Sequence, residues 1–312
     1  MLRSLLTSLV AAAVLAFPAT SFAARLVAPD PTAEQVTALD GTIVWVTGEF
    51  GHQRLVQRAP DGTISAVTGT RQARDYRAVD LGRDSDGKLR LTYLRCDAAG
   101  PCQALWNDLD GRRASFRILA LPGCQVDTAP AQWRTRIAYG LYCTGSANRK
   151  NSGLYVKRGS RKPVRLPRPK DAVKFAITNI ADVDLRSNRV AAVAADIYEY
   201  SFSQTVAAKD MWSAFVAASE GDSDAHVRGI ALGRANVHWT LTNAIHVGDP
   251  GEAIIFRQQG ACLQRERLVS APGAEGFVAT GLAVDENTMY LIVPGMGIVT
   301  HTFTPDPTLT CD

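Results

Sequence analysis

Six cysteines and five histidines are the residues of this chain best suited to nucleophilic, redox or metal chemistry. Their spacing decides between those uses. Cys96 and Cys102 bracket a short polar stretch in "YLRCDAAGPCQALW". Redox catalysis favours a C-x-x-C pair at a helix start, where the first thiol is readily deprotonated, and that spacing is absent. His52, His226, His238, His246 and His301 are scattered, with no H-E-x-x-H or G-x-S-x-G frame around any of them. His238 beside Trp239 reads as a packed strand residue, and His52 in "EFGHQ" as a loop residue. No catalytic residue and no cofactor follows from these positions.

Two motifs come close to a ligand site. "GRDSDGKL" (Gly82–Leu89) nearly spells a phosphate-binding loop, but Leu89 stands where a Mg²⁺-binding hydroxyl is required, and Asp84 and Asp86 would repel phosphate. Asp80, Asp84 and Asp86 could instead supply oxygen ligands to Ca²⁺. The further regular acids of a complete calcium loop are missing, so the competing reading is a solvated hairpin turn. Between Arg149 and Lys174 lie ten basic residues and one acid, Asp171. Such a run suits either an anionic envelope polymer or the protected outer edge of a sheet. Tyr198, Tyr200, Phe202, Trp212 and Phe215 crowd a stretch expected to be a long loop, and exposed Tyr and Trp make good contact anchors. These five are the candidate binding residues.

The compartment is set by the first residues. Arg3 precedes an uncharged run, Leu5–Phe17, and Ser21-Phe22-Ala23 has the small-x-small form of a signal-peptidase site. The run is shorter than the roughly 20 residues a membrane span needs. Residues 1–23 are therefore expected to be a cleaved signal peptide, and 24–312 one secreted or periplasmic domain without a transmembrane segment. A formal charge of +4 on 312 residues gives no general attraction to nucleic acid.

The elements that must position these residues repeat. "DGTIVWVTGEFGHQRLVQRAPDGTISAV" from Asp40 and "DGKLRLTYLRCDAAGPCQALWNDLDGRRASFRI" from Asp86 each run from Asp-Gly through a strand, a loop and a second strand to another Asp-Gly and a third strand. Asp-Gly between apolar runs is a strong hairpin signal because Gly accepts positive φ. One apolar strand recurs at intervals of 46 to 53 residues, as "TIVWV", "KLRLTYL", "RIAYGLY", "RVAAVAA", "NVHWTL" and "TMYLIV". A Val-Asp pair precedes three of them, at Val79-Asp80, Val183-Asp184 and Val284-Asp285. Strand upon strand without an amphipathic helix predicts an all-β chain. The period is that of propeller blades, and predicts six of four strands each.

"DSDGKLRLTYLRC…ALWNDLDGRRASFRI" resembles the repeat of the TolB-type, WD40-like β-propellers of exported bacterial proteins. The resemblance is good in two repeats, partial in the third and weak in the rest. It implies a propeller fold and an interaction platform, and transfers no catalytic residue. Within such blades the cysteines read as staples: Cys96–Cys102 across a strand loop, Cys124–Cys143 flanking inner strands, and Cys262–Cys311 pinning the C-terminal strand. The chain is expected to bind an unidentified protein or envelope polymer. The alternative is a hydrolase or lyase acting on a glycan or lactone from a composite site at the central tunnel.

Overall fold

The computed structural model describes residues 25–97, 102–115, 123–126, 128, 130–145, 151–166, 179–198, 201–208, 215–219, 226–242, 252–259, 262–269 and 279–304. The expected signal peptide and Cys311 lie outside them. Among the described residues every regular element is a β-strand, and no helix is long and apolar enough to cross a membrane.

Hydrogen bonds gather the strands into five sheets. The first joins β2 (Val36–Leu39), β3 (Thr42–Thr47), β4 (Arg54–Arg58) and β5 (Ile64–Ala66). A nine-stranded sheet has two halves. One is β6 (Asp75–Arg83), β7 (Leu89–Cys96), β8 (Gln103–Asp108) and β9 (Arg113–Ser115). The other is β10 (Cys124–Val126), β11 (Ala131–Trp133), β12 (Arg136–Cys143), β13 (Gly153–Arg158) and β14 (Val164–Arg165). A single parallel bridge, Trp133 to Arg83, connects the halves, and β10 and β11 share one edge of β12. Two further meanders follow: β15 (Asn179–Arg186), β16 (Arg189–Tyr198), β17 (Ser201–Ala208) and β18 (Phe215–Ser219), then β19 (His226–Leu232), β20 (Val237–Thr242), β21 (Glu252–Gln259) and β22 (Cys262–Val269). The last sheet takes β23 (Gly281–Asp285), β24 (Thr288–Val293) and β25 (Gly297–His301) from the end of the described chain and β1 (Arg25–Pro29) from its start.

The six recurring apolar strands of the sequence are β3, β7, β12, β16, β20 and β24, the second strand of each meander. The first hairpin turns on Asp40 and Gly41, at φ 53° and 74°, the left-handed pair of a two-residue turn that suits twisted strands. The last sheet takes its fourth strand from the start of the described residues, which the sequence pattern does not single out. Arg25 to Pro29 pair antiparallel with Thr300 to Gly297, through one register shift.

Apolar side chains fill the gaps between successive sheets. Val44, Val46 and Leu55 of the first sheet pack with Tyr76, Leu81, Leu91 and Tyr93 of the next. Ala131 and Ala138 meet Ile180, Val183 and Val190. Val193 meets Ile230, Val237 and Trp239. Ile255 and Leu268 meet Leu282, Met289 and Leu291. Ile292 and Ile298 meet Ile43 and Trp45, returning to the first sheet. Between the halves of the nine-stranded sheet the backbones themselves approach, and a Cβ at Gly82 would collide with the carbonyl oxygen of Gln132. Each sheet hides its neighbours' apolar faces, the arrangement of a β-propeller.

Candidate functional site

The strands nearest the axis, β2, β6, β11, β15, β19 and β23, enclose a cavity of about 40 Å³. A water needs about 10–15 Å³ on this measure, so the space suits a few small polar species. Asp80 enters it from β6, and Asp182 and Asp184 from β15, with Trp133 and Arg186 alongside.

These aspartates belong to a device that joins neighbouring sheets. An inner strand has one edge without a ladder partner, and its N–H groups need acceptors. Asp182 accepts the Ile230 N–H at 3.2 Å, and Asp184 the Leu232 N–H at 2.5 Å. Asp285 accepts the Gly41 N–H at 2.6 Å, and Thr37 Oγ1 accepts the Leu81 N–H at 2.9 Å. Each bond reaches the next sheet around the ring, and Asp285 reaches from the last to the first. Two of the three Val-Asp pairs of the sequence, at Asp184 and Asp285, are therefore inter-sheet clasps, and Asp182 is a further one. Their purpose was hidden because the N–H served lies far along the chain, 48 residues away for both Asp182 and Asp184.

Three carboxylates around so small a space repel one another. Burial pushes Asp182 up to about 7, helped by the charge of Asp184 and opposed by the Ile230 N–H. Burial likewise lifts Asp184 to about 6, while the Leu232 N–H and Arg186 pull it down. Asp80 is raised well above the usual carboxylate range, first by burial and then by Asp184 and Asp182. Asp182 and Asp184 keep some accessible surface, but a cavity this narrow cannot hydrate them as bulk water would. Among the described residues, Asp80 Oδ2 has no hydrogen-bond partner.

Comparison with solved structures fits this geometry. SapL1 lectin, solved in complex with α-methyl fucoside, shares 10% identity, covering 89% of this chain and 95% of that one, with a TM-score of 0.51. The likeness is one of fold. Weaker likenesses include a fungal lectin described as a six-bladed β-propeller, from Aleuria aurantia (9% identity, 90% and 97% covered, TM-score 0.47), and virginiamycin B lyase from Staphylococcus aureus (12%, 91% and 100%, TM-score 0.44). No family model matches the chain, and no curated protein does. The TolB-type likeness remains a resemblance.

The residues singled out from sequence are distributed otherwise than expected. Asp80, Asp84 and Asp86 do not converge. Asp80 faces the axis, Asp84 accepts the N–H groups of Asp86 and Lys88 at 2.9 Å within its own turn, and Asp86 is exposed. Among the described residues no three His, Cys, Asp or Glu side chains are arranged to hold a metal ion. The stretch expected as a long loop is largely strand: Ile197 pairs with Phe202, Tyr198 with Ser201, and Phe215 with Val206. Tyr200 and Trp212 lie outside the described residues. Cys96 is bonded to Cys102 and Cys124 to Cys143, the latter two being direct cross-strand partners. Cys262 is disulfide-bonded. His238 is buried beside Phe303, and burial, with Arg257 and Arg189, depresses it to about 4.

Proposed function

We propose that this chain is an exported six-bladed β-propeller that acts by binding an envelope or extracellular partner. Six blades follow from reading the halves of the nine-stranded sheet as separate blades and β1 as the outermost strand of the last. Export is supported by the leader-like residues 1–23 and by the paired cysteines, since disulfides persist in oxidising compartments. The TolB-type resemblance supports the same reading.

The observation that carries a binding role is the β16–β17 hairpin. β16 has 10 residues where β12 of the preceding sheet has 8, and both begin directly after a two-residue turn. The extra residues extend the far end by about 7 Å at a strand rise of about 3.3 Å per residue. Tyr198 and Phe202 sit near that tip, and Tyr200, Trp212 and Phe215 belong to the same segment. An aromatic arm overrunning its neighbours suits a contact surface.

The test is cosedimentation of the purified chain with isolated cell-envelope fragments, comparing wild type with the Tyr198→Ser/Phe202→Ser double variant. A loss of at least about tenfold in the bound fraction is expected, as for removal of anchor residues. Equal binding by a folded double variant would overturn the role of the arm. A second reading, a hydrolase or lyase acting on a glycan or lactone, is favoured by the raised carboxylates Asp182 and Asp184, which lie in the range useful for proton transfer. Turnover of such substrates by wild type but not by Asp182→Asn would replace the first reading.

A further inference from the structure

The turns at one end of the β10–β14 half gather positive charge. The β11–β12 turn carries Arg134, and Arg136 opens β12. The Gly159 N–H donates to the Thr135 carbonyl at 2.7 Å, which brings the β13–β14 turn alongside with Arg158, Arg161 and Lys162. Arg134, Arg158, Arg161 and Lys162 are exposed. No ion pair between these five residues and a described carboxylate is present.

The strand register makes this more than a solvated edge. Arg136 and Arg158 are direct cross-strand partners, with Ile137 opposite Lys157 next to them. Like charges placed directly opposite destabilise a sheet. Protecting an edge from aggregation needs charge on the outermost strand, which here is β14. It does not need two arginines facing each other across the interior pair β12–β13. An oxyanion bound between the guanidiniums would convert that repulsion into two charge-assisted interactions, for which the planar fork of Arg is well shaped.

We propose that Arg134, Arg136, Arg158, Arg161 and Lys162 form a binding surface for a linear anionic polymer bearing repeated phosphate or carboxylate groups. Several cations in a row select a chain of charges over a single small anion. The surface is separate from the aromatic arm. Arg136 reaches the Ser187 carbonyl at 3.3 Å, so it lies at the end where β15 turns into β16, whereas Tyr198 and Phe202 lie at the opposite end. The two sites can fail independently.

The test uses the full mature chain, with polyphosphate and polygalacturonate as probes and neutral dextran as control, at physiological salt. The Arg158→Glu/Arg161→Glu/Lys162→Glu variant is compared with Arg25→Glu/Arg54→Glu/Arg265→Glu, which changes the net charge equally at exposed positions elsewhere. The first should lose at least about a hundredfold in affinity, from roughly tenfold for each charge-assisted contact, and the second under about threefold, by screened long-range attraction only. Binding of polyphosphate alone would mark phosphate as the group read, and binding of both polymers would mark charge spacing. Arg158→Glu alone supplies a readout independent of polymer: facing Arg136, it should raise the thermal midpoint while weakening binding. Equal losses in both triple variants, binding no stronger than to dextran, or a lower midpoint in folded Arg158→Glu would each overturn the proposal.

Discussion

Asp84 and Asp108, in the turn after β6 and at the end of β8, are 2% and 3% exposed, and Asp80 on the axis is 8% exposed. Burial is nearly equal, yet the surroundings are opposite. Arg90 reaches Asp84 at 3.3 Å and Asp108 at 2.8 Å, and Arg112 adds a second contact to Asp108 at 2.7 Å. The Arg90 guanidinium lies 3.9 Å from the Trp106 ring centre, which fixes its plane. Burial pushes Asp108 upward, but the hydrogen bonds from Arg90 and Arg112 outweigh it and hold the carboxyl below its ordinary range. Around the axis, N–H groups and one another are the main company of Asp80, Asp182 and Asp184. The same residue type therefore serves as an ionised strut at Asp108 and as a proton-holding clasp at Asp182 and Asp184. Burial alone predicts neither; the nearest formal charge decides.

The largest expected effect breaks the paired side of this contrast. Asp108→Ala removes the closer of the two carboxylates paired with half-buried Arg90 and leaves Asp84 at 3.3 Å. It should cost about 1–3 kcal/mol, the scale of hydrogen bonds to charged groups, read as a shifted urea midpoint at unchanged slope. An effect below about 1 kcal/mol would show that solvent reaches Arg90 and that the two aspartate environments are less different than their burial suggests.

Asp80→Asn sharpens the other side. The amide keeps a carbonyl oxygen as acceptor and removes the charge that opposes Asp182 and Asp184. Stability at pH 8 should rise by about 1–2 kcal/mol, the scale of a buried polar group left without a partner, and the gain should shrink towards pH 4, because a carboxyl raised by burial takes up its proton as pH falls. A gain of equal size at both pH values would mean that charge at Asp80 is not the source.

Much of this architecture was legible in the sequence, and the reason is geometric. The second strand of each meander is largely buried, so Val44, Val193 and Leu291 stand in continuous apolar runs that recur at blade spacing. Two cysteine pairs were legible because their partners are local in the meander. β1 has no local partner, so its pairing with β25 through Arg25–Pro29 left no mark in periodicity. The axial carboxylates left a partial mark. The Val-Asp pairs were visible, but their acceptor role depends on strands one repeat further on. The aromatic stretch misled because its length between recognisable strands looked like a loop, whereas β16 and β17 simply continue.

The smallest expected effect is a change of slope with pH, and it tests the comparison without stranding any charge. Asp182 and Asp184 hold protons in the folded state up to about 7 and 6, but only to 3.8 when unfolded. Between pH 4 and 7 the folded state therefore binds more protons, so the stability from these groups is complete below pH 4 and is lost as pH rises. His238 works against them. Its folded value is about 4 against 6.5 unfolded, so its contribution is complete above pH 6.5 and is lost as pH falls towards 4. Two opposed slopes overlap in one window, and the aspartates outnumber the histidine. The thermal midpoint of wild type should fall gently from pH 4.5 to 7. Asp182→Asn should flatten the profile or reverse it, and His238→Phe should steepen it. A wild-type midpoint that climbs steadily from pH 4.5 to 7, unchanged by Asp182→Asn, would mean that the axial aspartates are ionised throughout and that the two environments differ in geometry but not in charge.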